Sequence, residues 1–163
     1  MDEHTSDERR PSGRGTPGGL VGRVARRLRP SPLTVIARVF DGQHDGDPWF
    51  APEHPVIVDP VEREDVLELL RSGAVILHAA QKLRDHVGDL DAAVPASLRS
   101  DGVWVWSDAC AYFLERYWIA PDAELVRHLR TAGPPLPVNA KTWRRLSAAI
   151  RPDAWKGTTW PLD

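Results

Sequence analysis

A turn signal in the middle of the chain constrains the fold most. Residues 96–106 (ASLRSDGVWVW) place an Asp-Gly pair, Asp101 and Gly102, between two short runs that alternate in hydrophobicity. Such a pair favours a two-residue hairpin turn, because both positions tolerate positive φ. The predicted register sets Arg99 opposite Trp104. One face of the hairpin is then aliphatic (Leu98, Val103 and Val105), and the other carries Arg99, Trp104 and Trp106.

Helix signals surround this hairpin. Four residues with capping side chains each precede an amphipathic stretch: Asp59, Ser107, Asp122 and Asn139. Their oxygens can accept hydrogen bonds from the unpaired amides of a first helical turn. Residues 75–87 also show helical spacing, whereas residues 33–40 and 54–58 are typical of strands. The sequence therefore predicts an α+β fold, a small antiparallel sheet with a β-hairpin packed by four to five helices.

The two ends of the chain differ in composition from its middle. Residues 1–30 hold seven arginines against four acids, a net charge of +3, which leaves −5 for the rest of a chain whose formal charge is −2. The segment combines Gly, Pro, Ser and Arg with few core-forming residues, so it buries too little apolar surface to order itself. We expect a disordered basic leader at 1–31, a single α+β domain at 32–151 and an irregular C-terminal tail at 152–163.

The sequence excludes a membrane-spanning helix and an internal disulfide. No apolar run approaches the ~18 residues that a membrane-spanning helix needs, so integral membrane association is not expected. The one cysteine, Cys110, cannot form an internal disulfide, and it lies on the apolar side of a predicted helix. We expect a packed thiol and a cytoplasmic protein.

The segment at 75–150 carries a recognisable pattern: an Asp-Gly turn, a Trp-x-Trp strand, an aromatic helix, a Pro-Asp break and a helix near Leu-x-x-His-Leu-Arg. Its matching residues are Asp101, Gly102, Trp104, Trp106, Ala111, Tyr112, Leu114, Pro121, Leu125, His128 and Arg130. In this pattern the chain resembles a widespread group of uncharacterised actinobacterial proteins. It departs from them at Trp118-Ile119, where a glycine-containing break is expected. The resemblance implies a small cytoplasmic α+β protein, and the hypothesis attached to it is an immunity factor for a toxin.

The candidate binding surface is the polar face of the hairpin. Arg99, Trp104 and Trp106 belong to the residue types that concentrate binding energy at protein interfaces, and a guanidinium can stack on an indole ring. The alternative is that neighbouring helices cover this face as part of the core. The function predicted from these residues is a non-enzymatic protein–protein interaction module with another protein as its partner.

Two other functions remain open. The loop that holds Asp41, His44, Asp45, Asp47 and His54 offers metal ligands, so a metal-dependent enzyme using His44 and His54 is one alternative. The other is a DNA-binding regulator using the basic leader and the last helix, whose cations are Lys141, Arg144, Arg145 and Arg151. The acidic body does not favour nucleic acid. No motif identifies catalytic residues, a metal site or a cofactor, and His128 is interpreted as a packing or surface residue.

Overall fold

A computed structural model describes residues 34–133, 135 and 137–150. The helices are α1 (Pro60–Ser72), α2 (Asp108–Tyr117), α3 (Ala123–Thr131) and α4 (Ala140–Ala149). The strands are β1 (Val35–Ile36), β2 (Gly42–His44), β3 (Asp47–Trp49), β4 (Ala74–Leu77), β5 (Lys82–Asp85), β6 (Leu90–Pro95), β7 (Leu98–Ser100) and β8 (Trp104–Ser107). The α+β class is confirmed, with four helices in the described part of the chain rather than four to five. The predicted leader and tail lie outside the described residues.

The main sheet is mixed rather than antiparallel. Its order is β1-β8-β7-β4, and β1 runs parallel to β8 while the other two pairings are antiparallel. The strand predicted at 33–40 is much shorter than expected, because only Val35 and Ile36 pair with β8. The strand predicted at 54–58 is a single bridge between Val56 and Ile119.

The helix predicted over 75–87 is wrong. This stretch forms β4 and β5 instead, and β5 pairs with β6 in a separate two-stranded sheet. Ile76 is buried between the exposed Val75 and Leu77, the alternation of a strand. Pairing of the Val-Ile-Leu run with β7 outweighs the local helical spacing, as tertiary context commonly does.

The central hairpin forms with a longer turn than predicted. Arg99 lies opposite Trp106, and Ser100 opposite Val105, so the register differs by two residues from the expected one. The Asp101 carboxylate accepts hydrogen bonds from the amides of Val103 and Trp104, at 2.9 and 2.8 Å, so the Trp104 amide is not paired with β7 and the turn is longer. A shift of two keeps every side chain on its predicted face.

Both faces of the main sheet are covered by a hydrophobic cluster. Leu98 and Val105 point into one cluster, which β6, α2 and α4 complete through Val94, Phe113 and Leu146. Trp106 points into the other. Helices α1, α2 and α3 complete that second cluster with Val66, Leu67, Leu70, Cys110, Leu114, Leu125 and Leu129. The described domain is therefore a sheet buried on both sides.

The four predicted capping residues all cap helices. Asp59, Ser107, Asp122 and Asn139 each accept hydrogen bonds from first-turn amides. Gly73 follows α1 with an extended backbone, with φ −65° and ψ 145°. A Cβ at Gly73 would overlap the Trp106 ring, so close packing explains the glycine.

Candidate functional site

The predicted binding face of the hairpin is covered by helices. The Trp106 side chain is only 1% exposed, and its Nε1 donates a hydrogen bond to the carbonyl oxygen of Leu70 at 2.9 Å. Trp106 therefore packs in the core and is not available at the surface for direct contact with a partner.

The Arg99 side chain also forms contacts within the domain. Its Nε lies 2.6 Å from Oδ1 of Asp108, and its Nη1 donates to the carbonyl oxygens of Arg71 and Gly73 at 2.9 and 3.0 Å. The last two carbonyls lie at the end of α1, where helical carbonyls lack partners within the helix. Arg99 thus joins β7 to the C-terminal end of α1 and to the first residue of α2.

Trp104 is partly exposed and packs against α3. Its ring lies 5.8 Å from the ring of His128, whose Nε2 is 2.5 Å from Oδ2 of the buried Asp101. The sequence interpretation of His128 as a packing residue agrees with these contacts. Of the three predicted surface residues, Trp104 alone combines an aromatic side chain with appreciable exposure.

The loop considered for metal binding holds its histidines apart. His54 Nδ1 lies 2.7 Å from Asp41 Oδ2, and its Nε2 donates to the carbonyl oxygen of Ala120 at 2.9 Å. His44 is exposed beside Asp45. Among the described residues, no group of three or more His, Cys, Asp or Glu side chains could hold a metal ion. Both His54 nitrogens are engaged, so the residue connects two loops.

The Asp41 carboxylate is stabilised in its charged form. Burial acts to raise its pKa, but the Ala51 amide and the His54 ring outweigh burial and lower the pKa from its ordinary value. The Ala51 amide donates to Asp41 Oδ2 at 2.7 Å. Asp41 is thereby fixed as the acceptor that orients His54.

The cations considered for DNA binding do not act as one group. Arg145 is partly buried and donates to the carbonyl oxygen of Gly102 in the hairpin turn. Arg144 and Lys141 are exposed on α4, and Arg151 and the leader lie outside the described residues.

In the part of the chain that the structure describes, no helix is long and apolar enough to cross a membrane.

Cys110 is a packed thiol, as predicted. It is 4% exposed in the cluster formed with α1 and α3, and burial raises the pKa of the thiol to about 12. A thiol with so high a pKa is a poor nucleophile at neutral pH.

A surface that the sequence analysis did not select lies where α2 ends. Trp118 is 49% exposed, and the Arg63 guanidinium on α1 lies 5.4 Å from the centre of its ring. The Ile57 amide donates to the Trp118 carbonyl oxygen at 2.8 Å, and the residues on either side of Ile57, Val56 and Val58, are 55% and 64% exposed. We call Val56, Val58, Arg63 and Trp118 the Trp118 patch.

The backbone of Trp118 is itself unusual. Its φ of 62° places it in the left-handed region, where its amide donates to the Leu114 carbonyl oxygen and ends α2. A bulky residue in this region is a conformational outlier whose cost must be met by its surroundings.

Helix α1, which carries Arg63 of the Trp118 patch, has several exposed acidic residues. The exposed acids in its first nine residues are Glu62, Glu64, Asp65 and Glu68, of which Glu62 pairs with Arg130 of α3. Arg63 is the one cation among them, and it is stacked on the indole ring. The patch therefore presents an apolar and aromatic centre beside a negative helix.

Comparison of the chain with protein-family models, with curated proteins and with solved structures finds no match. The assignment of a function depends on the residues and contacts described above.

Proposed function

We propose that this chain is a non-enzymatic protein-binding module, and that the Trp118 patch anchors a partner protein with a basic surface. The observation that carries the proposal is the half-exposed Trp118, with the Arg63 guanidinium 5.4 Å from the centre of its ring. The exposed Val56 and Val58 flank Ile57, whose amide is hydrogen-bonded to the Trp118 carbonyl oxygen. Tryptophan and arginine are the residue types most enriched among those that dominate binding energy.

The arrangement suits an anchor because much of it is ordered before binding. The indole has few rotatable bonds, its backbone is hydrogen-bonded to Ile57 and Leu114, and the guanidinium already lies over the ring. Side chains held in place lose less conformational entropy when a partner docks. The left-handed backbone of Trp118 carries a conformational cost that glycine would not have, so the residue is not explained by backbone preference alone.

Charge supports a basic partner. The chain beyond the leader is net acidic, and α1, the helix that carries Arg63, also has Glu64, Asp65 and Glu68 exposed. Glu62 of the same helix is paired with Arg130. Complementary charge accelerates encounter and orients the partner, while the apolar centre supplies most of the affinity. An immunity-type inhibitor of a toxin is one form of this function, since such a protein acts by covering its partner.

Site-specific photo-crosslinking tests the proposal. A benzophenone amino acid replaces Val58, 64% exposed in the patch, or Val87, 46% exposed in the turn between β5 and β6. In cells of the source organism we expect Val58 to yield one dominant crosslinked protein with a basic surface, and Val87 to yield none of it. Equal crosslinking of that protein from both positions, or none from Val58, would contradict the proposal.

A further inference from the structure

A second feature, separate from the Trp118 patch, is a cleft beside α3. It has a volume of about 600 Å³ and lies between the segments at 38–41, 54–57 and 120–123 and the outer side of α3. Val39, Phe40, Ile57, Ala120 and Val126 provide apolar lining. This volume falls within the range of clefts that hold small organic ligands, about 300 to 1,000 Å³.

The acidic side chains that line the cleft already have partners. Asp41 accepts from Ala51 and contacts His54, and Asp122 accepts from the Glu124 amide at 2.9 Å as the cap of α3. The Glu124 carboxylate pairs with Arg127. These carboxylates therefore offer little to a cationic ligand.

The basic side chains of the cleft are less committed. Arg38 is exposed, and among the described residues its guanidinium forms no hydrogen bond or ion pair. Its positive charge does act on Asp41, where it helps to lower the pKa of that carboxyl. Within the described residues, the side chains of Arg127 and Arg130 form exposed pairs with Glu124 and Glu62 and no other ion pairs. Exposed pairs of this kind contribute little free energy and open readily. The cleft thus combines an apolar floor with available guanidinium groups.

We infer that this cleft binds a small organic anion with an apolar body, whose carboxylate, sulfonate or phosphate group is held by Arg38. A guanidinium donates two parallel hydrogen bonds to such a group, and the apolar body covers Ile57 and Val126. The inference does not depend on the proposed protein partner, because the cleft and the Trp118 patch use different side chains.

Two matched fluorescent probes test this inference. The first, 8-anilinonaphthalene-1-sulfonate, has an apolar body and one sulfonate, and the second, N-phenyl-1-naphthylamine, has the same ring system without the charge. Each is titrated into the full chain and into the variants Arg38→Gln, Val126→Glu, Trp118→Ala and Arg84→Gln. Arg84 is a control for general loss of charge, since it lies in the β5–β6 hairpin with Asp89 and Asp91.

We expect the sulfonate probe to bind the wild type with one saturable site. Its affinity should fall about tenfold in Arg38→Gln, because a hydrogen bond to a charged group is lost, and binding should disappear in Val126→Glu. Trp118→Ala and Arg84→Gln should bind it like the wild type, and the neutral probe should bind more weakly. Equal sulfonate affinity in Arg38→Gln, equal binding of both probes, or loss of binding in Trp118→Ala would overturn the inference.

Discussion

Asp85 is a fully buried carboxylate that joins the β5–β6 hairpin to α2. Its Oδ2 accepts hydrogen bonds from the hydroxyls of Tyr112 and Tyr117, at 2.9 and 2.5 Å, and its Oδ1 accepts from the amides of Val87 and Gly88. Burial acts to raise the pKa of Asp85, but these four donors outweigh it, and the pKa is lowered from 3.8. Burial and the bond to Asp85 also raise the pKa of Tyr112 to about 12.

We expect Asp85→Asn to lower the free energy of unfolding by about 2 to 3 kcal/mol at pH 7, because an amide replaces a charged acceptor among four donors. The pH dependence follows from the lowered pKa in the folded state. The stabilisation by Asp85 is fully present above pH 3.8 and is lost as the pH falls through the lower folded value. Urea unfolding at several pH values between 2 and 7 measures both effects.

The control for this prediction is Asp91→Asn, which alters an exposed carboxylate 3.4 Å from Arg84. That variant should change the stability by less than about 0.5 kcal/mol. If Asp85→Asn were no less stable than Asp91→Asn at pH 7, the carboxylate of Asp85 would not be a structural acceptor.

The left-handed backbone of Trp118 leads to a second prediction. Trp118→Gly and Trp118→Ala both remove the indole ring, but only glycine adopts a φ of 62° without strain. We expect the glycine variant to be more stable than the alanine variant by about 1 kcal/mol, measured by urea unfolding. An alanine variant as stable as the glycine variant would indicate that this residue relaxes to another conformation.

At the scale of elements, two Asp-Gly pairs show what local sequence can and cannot determine. Asp45 and Gly46 have φ values of 50° and 88° and form a two-residue turn between β2 and β3. This is the turn that the sequence analysis assigned to Asp101 and Gly102. At the latter pair only Gly102 has a positive φ, since the Asp101 side chain binds the next amides and His128. The contact between Asp101 and His128 joins residues far apart in the sequence, so turn propensity alone could not predict it.

The junction between β7 and the ends of α1 and α2 depends on one arginine. Arg99 bridges Asp108, Arg71 and Gly73 through three donated hydrogen bonds, which a lysine ammonium could not reproduce from one position. We expect Arg99→Lys to destabilise the fold by about 1 to 2 kcal/mol in urea unfolding. Arg71→Lys, which changes an exposed pair with Glu115, should have little effect. Equal stabilities would show that the junction does not need the guanidinium.

At the scale of the described domain, helix caps and the α+β class could be predicted because they depend on residues close in sequence. The order of the sheet could not, since it depends on β1 pairing with β8 across about 70 residues. The division of the hairpin side chains between two faces was predicted correctly, but whether helices cover the face with Trp106 was left open. Whether Trp106 faced solvent or α1 depended on where a distant helix packed.

The candidate site was missed for a related reason. Trp118, Val56 and Arg63 become neighbours only through the bridge at Ile119 and the approach of α1 to α2. Tryptophan and arginine were chosen as anchor residues because of their residue type. The particular tryptophans, Trp104 and Trp106, were chosen because they alternate along a predicted strand, and Trp118 is not in a strand. The protein-binding hypothesis is retained, with its anchor moved to the end of α2.

The central claim is that Trp118 anchors a basic protein partner, and calorimetric affinities test it most directly. The protein crosslinked from Val58 is purified and titrated into the wild type, Trp118→Ala and Trp143→Ala. Trp143 is a matched control, a 42% exposed tryptophan on α4 outside the patch. Loss of an anchor residue costs about 2 kcal/mol or more, so Trp118→Ala should weaken binding about 30-fold or more, and Trp143→Ala less than about twofold. Equal affinities of wild type and Trp118→Ala would contradict the account.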